Sequence, residues 1–387
     1  MKPDGWREVR LGDLLNFRRG HDLPKTNFCI GKVPVVGSNG VIGYHNIFTT
    51  KSPCLTIGRS GNIGNPCFIN KDCWAHNTTL YVDDYKNNDP KYLYYLLKTL
   101  DLGYFGGGSA VPTLNRNHIH PIMVKSTDNK VEQKAIAATL SCLDDKIELN
   151  NRINKALEEM AQAIFKSWFV DFEPFQDGEF EDSELGRIPK GWRVGRFTEV
   201  AKICGGGTPK TTISNYWNGN IPFFTPKDCL NNYYVINTEK TISLEGLQHC
   251  NSKLYPKDTV FVTARGTVGK ICLAICDMAM NQSCYALLGS DGYSQYLIHQ
   301  LTLNLVEKFK HKASGAVFDA IITRDFDSEF ICIPPRYFLN QYDEAIKPLY
   351  SLIEQNQKEI NSLVQTRDYL LPKLMSGEIR VPFGEVQ

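Results

Sequence analysis

Two stretches of the chain carry an apolar period of three and four residues that runs unbroken for more than thirty positions. In the later stretch Tyr342, Ile346, Leu349, Ile353, Asn356, Ile360, Leu363, Arg367, Leu370 and Leu374 alternate steps of four and three, the spacing of a coiled-coil seam. In the earlier one Ile136, Leu140, Leu143, Ile147, Asn150, Asn154, Leu157, Ala161, Ile164 and Trp168 hold the same positions, each displaced by 206 residues. The pattern predicts two related long helices, the first about 57 Å from Val131 to Trp168 at 1.5 Å per residue. Packed antiparallel, they bury a shared seam through Ile147, Asn150, Leu157 and Ile164 on one and Ile353, Asn356, Leu363 and Leu370 on the other. Asn150 and Asn356 are equivalent: buried, they fix register at a cost in stability, and facing water they mark a loose point of the seam. The sequence leaves both open. Pro372, which has no counterpart at Lys166, predicts a kink or stop near Tyr369–Leu371.

Outside the helices the period changes. Short β-branched and aromatic runs such as Pro53–Ile57 and Thr259–Thr263 sit between Gly, Asn and Pro clusters, the pattern of strands joined by turns, and helical stretches interrupt near Pro90–Leu100 and Tyr293–Phe309. These parts repeat as well. GWREVRLGDLLNFRRGHDLPK from Gly5 returns as GWRVGRFTEVAKICGGGTPK from Gly191, LTIGRSGNIG from Leu55 as FVTARGTVG from Phe261, and HNTTLY from His76 as NQSCYA from Asn281. The second alignment pairs Arg59 with Arg265. The predicted architecture is α+β: two globular α/β domains, 1–127 and 173–336, separated and connected by two long antiparallel coiled-coil-like helices, 128–172 and 337–375. A pseudo-twofold axis relates the halves, and 376–387 forms a tail. Between the opening motif and the Arg-Gly loop the second domain is longer by about 20 residues, as the displacement grows from 186 at Trp6/Trp192 to 206.

A hydrophobic share of 42% with 22% charged residues excludes disordered and fibrous classes. No apolar run reaches the roughly 20 residues of a membrane span, so a cytoplasmic location is expected. The 12 cysteines are scattered, and the closest pair, Cys272 and Cys276, lacks partners at zinc-site spacing; small buried thiols in a reducing compartment are the expectation. Net charge is only +1, but residues 1–127 carry 15 Lys and Arg against 9 Asp and Glu, and 186–336 carry 17 against 12. Residues 128–185 carry 6 against 14 and 337–387 carry 5 against 7. Basic globular blocks alternating with acidic helical ones suit a polyanionic partner held at the domains.

No catalytic constellation emerges. GTVGKI at Gly266–Ile271 lacks the first Gly and the Ser or Thr of a phosphate loop. IPPRY at Ile333–Tyr337 lacks the flanking residues of an amino-methyltransferase motif, and FGGGSA at Phe105–Ala110 lacks dinucleotide-site context. His118 and His120 have no ligand cluster near them and read as exposed loop histidines. What recurs is a set of Gly-rich polar loops, where bare amides, cations and carboxamides suit phosphates and base edges. In the first half the candidates are Arg18, Arg19, Gly20, Lys25, Ser38, Asn39, Arg59, Ser60, Asn62 and Asn77. In the second they are Gly205, Gly206, Gly207, Thr208, Lys210, Lys227, Arg265, Thr267, Lys270, Asn281 and Gln282.

The closing segments LEEMAQAIFKSWFVDFEPF from Leu157 and LVQTRDYLLPKLMSGEIRV from Leu363, with both openings, the GGGTPKT loop, TARGTVG and MNQSCYAL, resemble the specificity subunit of type I restriction-modification enzymes over the full chain. The resemblance implies two target-recognition domains, each binding one half of a bipartite, asymmetric DNA sequence, with the helices setting their separation. It implies no catalysis in this chain and no bound cofactor or metal. Modification subunits, two in number, carry S-adenosylmethionine, and restriction subunits use ATP and Mg. Two other readings stand beside it: a protein-interaction scaffold without DNA readout, disfavoured by the basic blocks, and a fused restriction-methylation enzyme, disfavoured by the missing motifs.

Overall fold

The computed structural model describes residues 5–106, 112–230, 232–312 and 320–382. The FGGGSA run and the tail therefore lie partly outside the described residues. The chain divides into two compact units, Met1–Ile147 with Ser362–Gln387, and Glu148–Asn361. Two 40-residue helices, Lys130–Phe169 and Arg336–Met375, each contribute to both.

The first helix starts where Asn129 accepts the amides of Val131 and Glu132 through its side chain, at 3.0 and 3.2 Å, an N-cap satisfying donors that have no partner within the helix. It ends before Phe172, whose left-handed backbone and following Pro174 forbid another turn. The second begins after Pro334 and Pro335 and closes on Gly377, at φ +73°, whose amide donates to the Leu374 carbonyl at 3.3 Å, the usual use of glycine just beyond a helix. Of the kink or stop expected near Tyr369–Leu371, the stop does not occur. The helix continues to Met375, and the Ser376 amide still reaches the Pro372 carbonyl at 3.0 Å. A proline removes its own donor and crowds the carbonyl four residues back; here that residue, Asp368, is exposed to water, while Leu374 and Met375 beyond the proline are held in the core. Pro348 is carried inside the same helix.

All twenty seam positions are buried or half-buried. In the second unit Asn356 donates to Asn154 Oδ1 and Asn150 to Glu359 Oε2, both at 2.8 Å, so the helices run antiparallel there. Asn150 is 1% and Asn356 7% exposed, which removes the water-facing alternative. They do not pair with each other. In the first unit the seam position Arg367 donates to Asp144 at 2.9 Å; Tyr95 donates to the same carboxylate at 2.7 Å.

The globular part of the first unit has a four-stranded antiparallel sheet ordered Asn16–Arg19, Thr79–Asp84, Cys54–Gly58 and Pro66–Ile69. A smaller sheet joins Gly40–His45, Val33–Gly37 and Trp74–Ala75. Helix Pro90–Lys98, capped by Asp89 with proline in its first turn, sends Leu93, Leu96 and Leu97 into a core with Leu55, Ile57, Leu80 and Val82. The second unit repeats the plan. Ala201–Gly205, Cys284–Gly289, Val260–Thr263 and Ile271–Ala274 take the same order, with Tyr234–Val235 added at the edge. The smaller sheet is Lys240–Ile242, Trp217–Phe224 and Ala279–Met280, and helix Gln295–Lys312 covers the larger one.

Of the cysteines, Cys54, Cys73, Cys229, Cys272 and Cys284 are buried, whereas Cys29, Cys142 and Cys276 are exposed, so burial accounts for only part of the set. Among the described residues no helix is long and apolar enough to cross a membrane.

Candidate nucleic-acid interface

The candidate residues of each unit gather at the ends of the larger sheet's strands, and two glycines show why the loops lie where they do. A Cβ on Gly20 would stand 2.0 Å from the His76 carbonyl oxygen, and one on Gly206 would stand 2.1 Å from that of Asn281. Only glycine permits this approach of one backbone to another. Beyond it lies a polar clasp: the Asn77 amide donates to the Asp22 carboxylate, and at the equivalent place the Thr208 hydroxyl donates to the Gln282 carboxamide. Hydrogen bonding to Asn77 holds the Asp22 carboxyl below its ordinary range. The carboxamides of Asn77 and Gln282 are thus turned on their own loops, and Asn281 Oδ1 accepts the Ser283 amide at 3.0 Å.

The Gly58–Gly64 loop closes by a bond from the Gly64 amide to the Gly58 carbonyl at 2.8 Å, and the Thr263–Gly269 loop by one from Gly269 to Thr263 at 2.8 Å. Gly61 and Gly266 take φ of +83° and +81° at matching places. The amides of Arg59 and Ser60 both donate to the Thr78 carbonyl, at 2.8 and 3.2 Å; those of Ala264 and Arg265 both donate to Ser283, at 2.8 and 3.3 Å. Strand pairing agrees, with Thr56, Ile57 and Gly58 opposite Tyr81, Leu80 and Thr79, and Phe261, Val262 and Thr263 opposite Ala286, Tyr285 and Cys284. The displacement at this loop is therefore 205. Arg59 corresponds to Ala264 and Arg265 to Ser60, so the pairing of the two arginines expected from sequence is wrong by one residue. A shift of one reverses the facing of a side chain in extended backbone. Arg59 is half-buried, its Nη1 donating to the Asn77 carbonyl at 3.3 Å, whereas Arg265 is exposed.

The other candidates scatter more. Arg18 and Arg19 lie on a strand rather than in a loop, paired with Asp83 at 2.9 Å and Asp22 at 3.2 Å. Ser38 and Asn39 form a hairpin turn, and an added Cβ on Gly61 would lie 3.3 Å from Ser38 Oγ, which brings this turn to the Arg59 loop. Asn62 is exposed at the tip of that loop, and Lys25 opens an exposed single turn. In the second unit Gly207 donates to the Met280 carbonyl at 3.1 Å, while Gly205, Lys210 and Thr267 are exposed. Lys270 is turned inward, its ammonium held by the Cys229 carbonyl at 3.1 Å. Lys227, with Glu239 at 3.8 Å, lies in the segment that lengthens the second domain.

Arg116 belongs to no repeated loop and is not among the candidates. It lines, with Arg18, Arg19, Arg59 and His118, one cavity of about 620 Å³. Its Nη1 donates to the Phe17 carbonyl at 3.2 Å. Nearby His120 is not an exposed loop residue: Nε2 accepts the Phe17 amide at 3.2 Å, and burial lowers its pKa. A basic residue 57 positions beyond Arg59, in a segment whose counterpart holds Thr323, carries no repeat signal.

Comparison with known proteins gives concordant matches. The type I restriction modification DNA specificity domain family matches residues 3–159 and again 189–365. The MjaIX specificity subunit of Methanocaldococcus jannaschii, a type I restriction enzyme component, is 32% identical over 303 residues, covering 75% of this chain and 69% of that protein. The HindI specificity subunit of Haemophilus influenzae is 24% identical over 442 residues, covering 96% and 94%. The crystal structure of a type I restriction-modification S subunit from M. genitalium matches with a TM-score of 0.66 at 17% identity, covering 96% of each chain; at that identity it shows a shared fold.

Proposed function

The chain belongs to the type I restriction-modification DNA specificity family, and from that premise we propose that it reads a bipartite, asymmetric DNA sequence, one half-site per recognition domain. One observation carries this reading. The two units share a backbone frame down to single hydrogen bonds, yet place different side chains on it: Arg18 for Cys204, Arg19 for Gly205, Asn77 for Gln282, Ser60 for Arg265. A constant scaffold with variable exposed residues is what two independent readings of base sequence need.

As a specificity subunit the chain is the non-catalytic part of its system. Two modification subunits and the restriction subunits dock on it in the cytoplasm, where the DNA is, and S-adenosylmethionine, ATP and Mg are theirs. The side chains proposed to touch DNA are the exposed Arg265, Lys210 and Thr267 in the second domain and, in the first, exposed Asn62 with half-buried Arg59 and Ser38. The seam helices act as the spacer ruler between half-sites. The experiment is binding of duplexes to the purified chain with and without its modification subunits, over a salt series. The reading expects salt-sensitive binding that becomes sequence-specific with those subunits; methyl transfer by the chain alone contradicts it.

A further inference from the structure

We infer that the two recognition domains hold DNA by different means: the arginine-lined cavity of the first domain seats a backbone phosphate, and the described residues of the second domain form no such seat. This rests on the reading of the chain as a DNA specificity subunit and goes beyond it by assigning a ligand class to one cavity.

The cavity of the first domain carries more positive charge than its ion pairs neutralise. Arg18, Arg19, Arg59 and Arg116 converge on the cavity. Arg18 and Arg19 have carboxylate partners in Asp83 and Asp22. Arg59 and Arg116 have none within ion-pair distance among the described residues; their recorded bonds go to the carbonyls of Asn77 and Phe17. Neither carboxylate lines the cavity. Asp22 feels the charge of Arg59 without pairing with it, so four guanidiniums border a concave site with two carboxylates near them and none in its lining; that excess makes an anion site of the right sign, because each fork can hold two oxygens of one phosphate. Convergence also separates phosphate from base contact, since a base edge takes one arginine in its plane, whereas a phosphodiester accepts donors from several directions.

The second domain supports the inference by contrast. Strand and loop register place Cys204, Gly205 and Ala264 where the first domain has Arg18, Arg19 and Arg59. The Leu114 amide donates to the Arg59 carbonyl at 2.8 Å and the Ile321 amide to Ala264 at 3.0 Å, so Arg116 corresponds to Thr323. All four guanidiniums are missing at once. The cavity of about 670 Å³ that Thr323 does line lies at the other end of these strands, with Ala201, Lys202 and Ser290, and neither Cys204, Gly205 nor Ala264 borders it.

The test uses the full chain assembled with its modification subunits and a duplex bearing the methylated target sequence, with a scrambled duplex beside it. Arg59→Gln with Arg116→Gln is expected to weaken both duplexes by the same factor and to lower the slope of log K against log salt by about one, the signature of one lost phosphate contact. Arg59→Lys with Arg116→Lys, which keeps the charge but loses the fork, is expected to restore the slope. Loss confined to the target duplex, with no rescue by lysine, would mean base contact and overturn the proposal. So would an unchanged slope in a variant whose thermal unfolding matches that of the parent. If the parent complex itself shows no preference for its target, the specificity reading fails instead, and the two failures are told apart.

Discussion

Replacing Asn356 by alanine tests whether the polar step in the helix seam sets its register. Asn356 Nδ2 donates to Asn154 Oδ1 at 2.8 Å, with both side chains buried. Truncation removes one neutral hydrogen bond and leaves Asn154 buried without its donor, a cost of about 1–3 kcal/mol in addition to the lost contact. Replacing both by leucine removes the polar pair and adds apolar volume of the kind the rest of the seam carries, so the double change is expected to be neutral or stabilising. A cycle of Asn154→Ala, Asn356→Ala and the double variant should then give a coupling of about 1–2 kcal/mol. Register follows from the same magnitudes. Sliding one helix by a heptad would set Asn154 at the level of Leu349, and each buried Asn so orphaned costs about 1–3 kcal/mol. The native register is thus favoured over its neighbours by several kcal/mol, given that Asn150, Asn154 and Asn356 all change partners. The assay is amide hydrogen exchange across 148–169 and 336–361 with denaturant unfolding of the same variants, because two units need not unfold as one. A cost below about 0.5 kcal/mol for Asn356→Ala, under the range for an orphaned buried group, or a double-leucine variant less stable than either single alanine, refutes the reasoning.

Other outcomes follow from single sites. Glu158 is pushed up to about 7, chiefly by burial and next by Glu159. With its folded pKa above the unfolded one, stability falls as pH rises from about 4.5 to 7 and is level above. Glu158→Gln should therefore stabilise the fold by about 1–2 kcal/mol at pH 8, after discounting for its partial exposure to solvent, and not at pH 4, read as a higher melting temperature at pH 8 only; equal effects at both pH values contradict it. Gly20→Ala and Gly206→Ala, each driving a Cβ into a carbonyl oxygen, should destabilise by about 2–4 kcal/mol in thermal unfolding, whereas Gly266→Ala, with space but φ of +81°, should cost less, about 1–2 kcal/mol. Arg265→Ala should cost about 1–3 kcal/mol at one half-site if it contacts a base; equal weakening of every sequence would assign it to phosphate.

The helices were legible because their signal recurs at ten positions in each copy and needs no tertiary knowledge: a seam residue every three or four positions, at one constant displacement. Pro372 misled for the complementary reason, that local propensity says nothing of Leu374 and Met375 anchored beyond it. At the loops, sequence located the right segments and erred in their register. Arg59 and Arg265 look equivalent because both precede a small residue and a turn, but equivalence is decided by which amides share the Thr78 or Ser283 carbonyl. Side-chain commitment was equally invisible: Asn77 and Gln282 read as free carboxamides until Asp22 and Thr208 are seen across from them. Arg116 could not be found by repetition, since the second domain does not repeat it. Its place beside Arg59 depends on the backbone bond from Leu114, which no spacing along the chain foretells.

The central claim, two independent readings on one repeated frame, is tested most directly by mapping methylated bases across the genome of a host that carries this chain with its modification subunits. The account predicts adenine methylation confined to one two-part sequence with an unread spacer, abolished when the chain is omitted and altered in one part only when residues 186–336 are exchanged for those of a relative. A single uninterrupted motif, or a pattern that persists without the chain, would contradict it.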